Sequence, residues 1–441
     1  MSTSSGSAAG VPSGMTRASA VAREHHWFPE PTQKAPMRYI VGLIIAQFVF
    51  FVALLGPAII GVGIKVISII PAEGTERETA TAIIAGLGAA GALVGNVVFG
   101  RLSDRTTARW GRRRPWIVSG TVVMTIGFLV MALGPDVPVV AIGWLIAQLG
   151  ANATLAPFIA TISDQVPKFQ RASVSALLGI AQNVGILGGT YVAELFQDQM
   201  LIMFVGPSIL AIVAMAVFAF VLPDQVLPTR PPRMNLREWA QTFWVSPRRH
   251  PDYALAWWSR FLITLATFMF TTFRIFYVNR QLGVPEEQAA SVITTSVLIY
   301  TVALVLTGWV AGKISDRTGL RKIFVGGSTA LFAVGTILLA HAQDVQMFYI
   351  VEAILGVAYG VYIGVDLALV VDVLPNPDDA GKDLGVFNMA NAMPQTIAPI
   401  LGGVLVGIGA AETPNYPLLL WSAGILALVG ALVIIPIKKV R

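Results

Sequence analysis

Gly100-Arg-Leu-Ser-Asp-Arg105 and Gly312-Lys-Ile-Ser-Asp-Arg317 are the same phrase written twice, 212 residues apart. Each copy follows a long apolar run and precedes further basic residues: Trp110-Gly-Arg-Arg-Arg-Pro115 after the first, Gly319-Leu-Arg-Lys322 after the second. A second pair, Asp164-Gln-Val-Pro167 and Asp372-Val-Leu-Pro375, repeats at an offset of 208. Two spaced matches at nearly one offset imply a duplicated half of about 200 residues, the arrangement in which membrane halves face each other across a pathway.

Composition sets the medium. Hydrophobic residues make up 55% of the chain and charged ones 12%, about half the charged share of a soluble protein. Cysteine is absent, which excludes disulfides, thiol catalysis and Cys-ligated metals. No metal or cofactor motif stands out, and no nucleophile–base set points to an enzyme. The net charge of +6 reflects membrane topology rather than a nucleic-acid partner.

Apolar stretches long enough to cross a bilayer fall near 39–63, 79–100, 115–134, 138–162, 173–195 and 201–222. They resume near 255–278, 288–311, 323–341, 346–371, 384–408 and 417–437. The expected fold is an all-α membrane protein of twelve transmembrane helices in two homologous six-helix halves. Its parts are a tail (1–38, disordered over 1–24), a first half (39–222), a Pro- and Arg-rich linker (223–254) with a short surface helix near Leu236–Trp244, a second half (255–437) and a terminus (438–441). Twelve spans put both termini on one side, and 25 of the 30 Lys and Arg fall on that side. The other side receives Lys65, Arg77 and Arg280, and span 7 holds Arg260 and Arg274. The basic side is therefore expected to be cytoplasmic, with the chain multi-pass in the cell membrane.

Charges inside spans are costly and mark function. Arg260 and Arg274 in span 7 are 14 residues apart, as are Glu352 and Asp366 in span 10. Fourteen residues are about four helical turns, so each pair shares one face. Span 7 runs outward and span 10 inward, which matches Arg260 with Asp366 in depth and Arg274 with Glu352. Two ion pairs are expected, with Asp366 first and Glu352 second as carriers of a coupling proton. The competing reading is that the arginines snorkel to water.

Amides offer donors and acceptors at once, which suits polyhydroxylated ligands. Gln148, Asn152, Asn183, Asn388, Asn391 and Gln395 are the candidates for a cavity wall, with Gln47, Tyr300 and Trp144 completing it; interhelical bonding is the plainer use of such residues. Gly86, Gly88, Gly91 and Gly95 suit close helix packing.

The loop phrase suggests a gate on the basic side. The starts of helices 5 and 11 point their positive ends there. Asp104 is expected against helix 11 and Asp316 against helix 5, with Arg101, Arg105, Arg112 and Arg113 bridging to carboxylates of the other half. Gly100, Gly312 and Arg317 complete the repeated phrase. These contacts would close the gate and break on opening; the alternative is that the basic residues only set topology.

Twelve spans, two halves and Gly-x-x-Ser-Asp-Arg after spans 2 and 8 resemble the major facilitator superfamily over nearly all of 39–437. The string from Gly100 to Ile117, Val365-Asp-Leu-Ala-Leu369 and Gly385-Val-Phe-Asn388 are similar to the glycoside–pentoside–hexuronide and proton–sucrose transporters. The resemblance implies a major facilitator fold, helices 1, 4, 7 and 10 around a central cavity, and a monomer importing a sugar or glycoside with protons by alternating access. A proton-driven exporter of amphipathic drugs is the alternative. Sodium-coupled glycoside carriers bear carboxylates in span 2; here no carboxylate stands between Thr79 and Gly100, which favours protons.

Overall fold

A bilayer offers no partners for backbone amides, so an apolar chain must satisfy them within each segment, as helices do. The computed structural model describes residues 31–71, 74–228, 245–374, 380–409, 414–438 and 440. Among them twelve helices are long and apolar enough to span a membrane: α1 Met37–Ile69, α2 Glu76–Asp104, α3 Arg114–Leu133, α4 Val137–Gln165, α5 Lys168–Leu195, α6 Met200–Val221, α7 Pro251–Thr271, α8 Glu286–Thr318, α9 Arg321–Leu339, α10 Val345–Val373, α11 Ala380–Gly407 and α12 Tyr416–Val433. They correspond one for one with the twelve apolar stretches of the sequence. The linker helix expected near Leu236–Trp244 and the tail over 1–24 lie outside the described residues.

Two departures from regular helix occur at related places. In α1 the turn Pro57–Gly61 is a π turn; a proline there has no N–H to donate, and a widened turn absorbs the loss. Span 7 was expected to run unbroken over 255–278. Instead α7 stops at Thr271, and a short helix Arg274–Phe276 leads into a second π turn, Tyr277–Gln281.

The repeat is written in contacts as well as letters. Asp136 and Asp344, 208 residues apart, cap α4 and α10 by accepting from the amides of Val139 (3.0 Å) and Met347 (2.7 Å), each satisfying one amide that a helix start leaves over. Arg113 pairs with Asp164, and Arg321 with Asp372, again 208 apart at both ends. Each clamp ties the start of the third helix of a half to the end of the fourth.

Across the two halves, α2 packs on α11 and α5 on α8. Within the second half α8 and α10 touch through glycine: a Cβ built on Gly364 would lie 2.4 Å from the carbonyl oxygen of Gly308. Backbone cannot yield as a side-chain tip can. Gly364→Ala should therefore cost about 1–3 kcal/mol of stability, read as a lower thermal midpoint in detergent. Gly327→Ala on α9, where a Cβ meets open space, should be neutral or gain up to about 1 kcal/mol.

Candidate functional site

Arg260 on α7 pairs with Asp366 on α10, and Arg274, just past the α7 break, pairs with Glu352 on α10. The helical arithmetic thus places both arginines on carboxylates rather than in water. Glu352 is 0% exposed and Asp366 3%. Arg260 also lies over the Phe387 ring at 4.6 Å, and Arg274 over Phe270 at 5.5 Å. Rings suit a guanidinium because their faces are negative. Tyr362, one turn before Asp366, stacks on Tyr359 beside the inner pair.

Two cavities lie between the halves. The larger, about 470 Å³, is bounded by α2, α4 and α11 and presents Asn96, Asn152, Asn388, Asn391 and Gln395. It reaches Gly100, Arg101 and Asp104 at the basic end, where the Asp104 side chain is 56% exposed. The smaller, about 130 Å³, is lined by both halves and includes Asn183, Tyr300 and Arg274. Four expected amides therefore meet in the larger cavity and two expected residues in the smaller. Gln47 is buried, and Gln148 accepts from Asn152 through its backbone oxygen (2.9 Å); neither lines these cavities. Trp144 is buried against Gly88, so it serves packing. Asn96, not singled out in the sequence, donates to Asn152 (3.4 Å).

At the basic end two arginines that follow the gate phrase are paired. Arg113 reaches Asp104 (2.6 Å) and Asp164 (3.0 Å), and Arg112 reaches Asp164 (2.7 Å). Burial works against the Arg113 charge, but the Asp104 and Asp164 carboxylates outweigh it and raise its pKa. Asp224 accepts from the amides of Arg113 (2.7 Å) and Arg114 (2.9 Å). In the conformation seen, with the cavity open toward this end, Asp104 and Arg113 bond within their own half. Asp316 and Arg317 are exposed. Gly312 serves packing, since its Cβ would meet the Gly364 oxygen at 3.3 Å.

At the opposite end the halves bond to each other. Arg77 donates to Glu286 (2.7 Å), and Arg280 lies 3.5 Å from Glu78 and donates to the Gly74 oxygen (2.6 Å). Tyr416 donates to Glu78 (2.6 Å), which is 0% exposed. Ile275 fills the space where a Gly63 Cβ would stand, 2.3 Å from its Cγ2. The sequence reading treated Arg77 and Arg280 as topology markers. The overlooked signal was their rarity on the poorly charged side.

Residues 43–313 and 256–441 match the Major Facilitator Superfamily. Among curated proteins, the chain is similar to Multidrug resistance protein 3 of Bacillus subtilis (28% identical over 106 residues, 24% of this chain and 20% of that protein). It is also similar to puromycin resistance protein pur8 of Streptomyces alboniger (27% over 128 residues, 29% and 24%). The chain thus matches a quarter or less of the length of each of these two relatives. Solved structures share the fold: nucleoside transporter NupG (14% identity, TM-score 0.68, 92% of this chain and 100% of that one), and a bacterial homolog of the human lysosomal transporter Spinster in an inward-facing, occupied conformation (11%, 0.67, 91% and 96%).

Two outcomes test this geometry. Removing one partner of a buried ion pair typically costs about 3–5 kcal/mol, chiefly through the charge left behind. Arg260→Gln and Asp366→Asn should each lower thermal stability, and the double variant should lose less than the sum; additive losses would rule the pair out. For the far end, Glu78→Gln removes the charged acceptor of Tyr416, about 1.5–3 kcal/mol, and the counter-charge of Arg280. Spin labels at Glu76 and Glu287 should then show a new, longer distance population. An unchanged distribution would show that apolar packing alone holds that end.

Proposed function

The chain belongs to the Major Facilitator Superfamily, and from that premise we propose a secondary active transporter that moves a sugar or glycoside by alternating access, with protons as the coupling ion. The observation that carries the substrate class is the larger cavity, where five carboxamides from both halves face one space. Carboxamides recognise hydroxyl groups without selecting for charge. The basic end is the cytoplasmic one by its lysines and arginines, so the conformation is inward-open, with the outer end held by Arg77, Glu78, Arg280, Glu286 and Tyr416.

Asp366 is the first coupling carboxylate in this reading and Glu352 the second. A proton delivered to Asp366 cancels half of a buried pair and leaves Arg260 without its counter-charge. Arg260 then favours whichever arrangement gives it a new partner, which ties protonation to movement of α7 against α10. The repeated phrase supplies the other side of the cycle. Outward opening would bring Asp104 toward the start of α11 and Asp316 toward the start of α5, where helix ends attract carboxylates. The working unit is a monomer in a cell membrane.

Proton-driven export of amphipathic molecules is the second reading. It draws on the names of the two curated relatives and on the rings and aliphatic chains of the smaller cavity. Proteoliposomes decide. Counterflow against a sugar panel, with a pH electrode, should reveal a saturable sugar whose uptake alkalinises the medium. Asp366→Asn should keep exchange and lose uphill accumulation. Full accumulation by that variant would move the coupling role to Glu352, and ethidium movement in place of any sugar would favour export.

A further inference from the structure

The seam between α5 and α8 differs at its two ends. Near the far end, Thr294 donates to the Thr190 oxygen (3.4 Å) and Gln197 to the Glu287 oxygen (3.2 Å). Toward the basic end both helices carry exposed apolar side chains: Phe169, Leu177 and Ile180 on α5, Leu306, Trp309 and Val310 on α8. We infer that this part of the seam binds one phospholipid with an anionic headgroup, drawn from the leaflet at the basic end. Its phosphate meets Lys313, and its tails lie along α5 and α8.

The repeat tells which way this face of α8 turns. An offset of 212 carries Val97, Arg101 and Asp104 onto Trp309, Lys313 and Asp316. The first three line the larger cavity, on the side where α2 meets α11. In the second half α8 stands to α5 as α2 stands to α11, so Trp309, Lys313 and Asp316 border the α5–α8 seam. Where the first half has a valine, the second has an indole, 65% exposed.

Charge names the ligand. The Lys313 ammonium lies 3.5 Å from the centre of the Trp309 ring. Trp309 stands one turn further from the basic end, about 6 Å by helical rise. A lysine that only snorkels reaches the other way, toward water. This one is held back against apolar surface, where a cation is costly without a counter-charge. Among the described residues neither Lys313 nor Arg317, one turn on, has a carboxylate partner. Asp316 is exposed on the same stretch, and the two cations outnumber it. A ring face holds an ammonium without neutralising it, and its three N–H donors suit phosphate oxygens. A lipid brings both things this surface lacks: an anion at the depth where the apolar face of α8 ends, and hydrocarbon to cover that face. Anionic lipids are favoured because basic residues at a membrane surface attract them.

The site exists only while α5 and α8 stand apart at the basic end. Under the alternating access proposed above, on which this consequence rests, closing that end expels the lipid. An anionic leaflet therefore favours the form open at the basic end.

The chain has no cysteine, so Ile180→Cys carries a single fluorophore. The labelled full chain is placed in phosphatidylcholine nanodiscs with tail-nitroxide phosphatidylglycerol or tail-nitroxide phosphatidylcholine as quencher. The glycerol lipid should reach half-quenching at about fivefold lower mole fraction, as one lysine near an anionic headgroup provides. Lys313→Gln should erase that difference and Lys313→Arg keep it. Arg109→Gln, which removes an exposed cation elsewhere at the same end, should leave it intact. Equal quenching by the two lipids before any change at Lys313 overturns the site. Equal loss from Arg109→Gln and Lys313→Gln also overturns it, in favour of general surface attraction. Spin labels at Ala176 and Val310 should show the longer distances gaining population as phosphatidylglycerol replaces phosphatidylcholine. No shift there overturns the conformational consequence.

Discussion

An arginine in hydrocarbon must bring its own carboxylate. The cost of an unpaired charge in a low-dielectric interior is several kcal/mol even after relaxation, more than most packing contacts supply. That one constraint organises this molecule. It sets Arg260 on Asp366 and Arg274 on Glu352 across α7 and α10, and Arg113 on Asp104 and Asp164. It also decides where the halves may part. To open, the far end must separate Arg77 from Glu286 and Arg280 from Glu78 as well as break apolar contact.

Much of this was legible from the chain because the bilayer simplifies reading. Hydropathy located twelve spans, since backbone satisfaction leaves no other spanning form. Helical rise matched Arg260 with Asp366 and Arg274 with Glu352 without coordinates. The break after Thr271 escaped because hydropathy averages over a window, and 255–278 is apolar throughout apart from its two arginines. The closure at the far end escaped for a different reason. Glu78 and Tyr416 are 338 residues apart, and each sits at a helix end, where polar groups are ordinary. Nothing local distinguishes a buried carboxylate there from a solvated one. Asn96 is a lone amide in span 2, and a lone amide reads equally well as an interhelical bond.

The two cavities differ in their chemistry. One gathers carboxamides, which accept and donate equally; the other is lined by rings, hydroxyls and Arg274. The smaller is walled in part by α7, which carries Arg260 toward one end and leads past its break to Arg274. Charge, cavity wall and closure thus meet on one interrupted helix. The π turn of α1 lies in the first helix of the other half, near the same level. A helix already interrupted needs less disruption to bend, because its backbone ladder is broken at that place.

The closure at the far end is made of two unlike parts. Glu286 stands 42% in water, while Glu78 is wholly buried. Dissolved salt screens the first within about 10 Å at 0.1 M and scarcely reaches the second. In dilute surroundings both hold; in brine the exposed pair fades and the buried one remains. The molecule's closed face is thereby divided into a portion that the surrounding medium can tune and a portion that it cannot, so salinity alone will loosen that face without unlocking it.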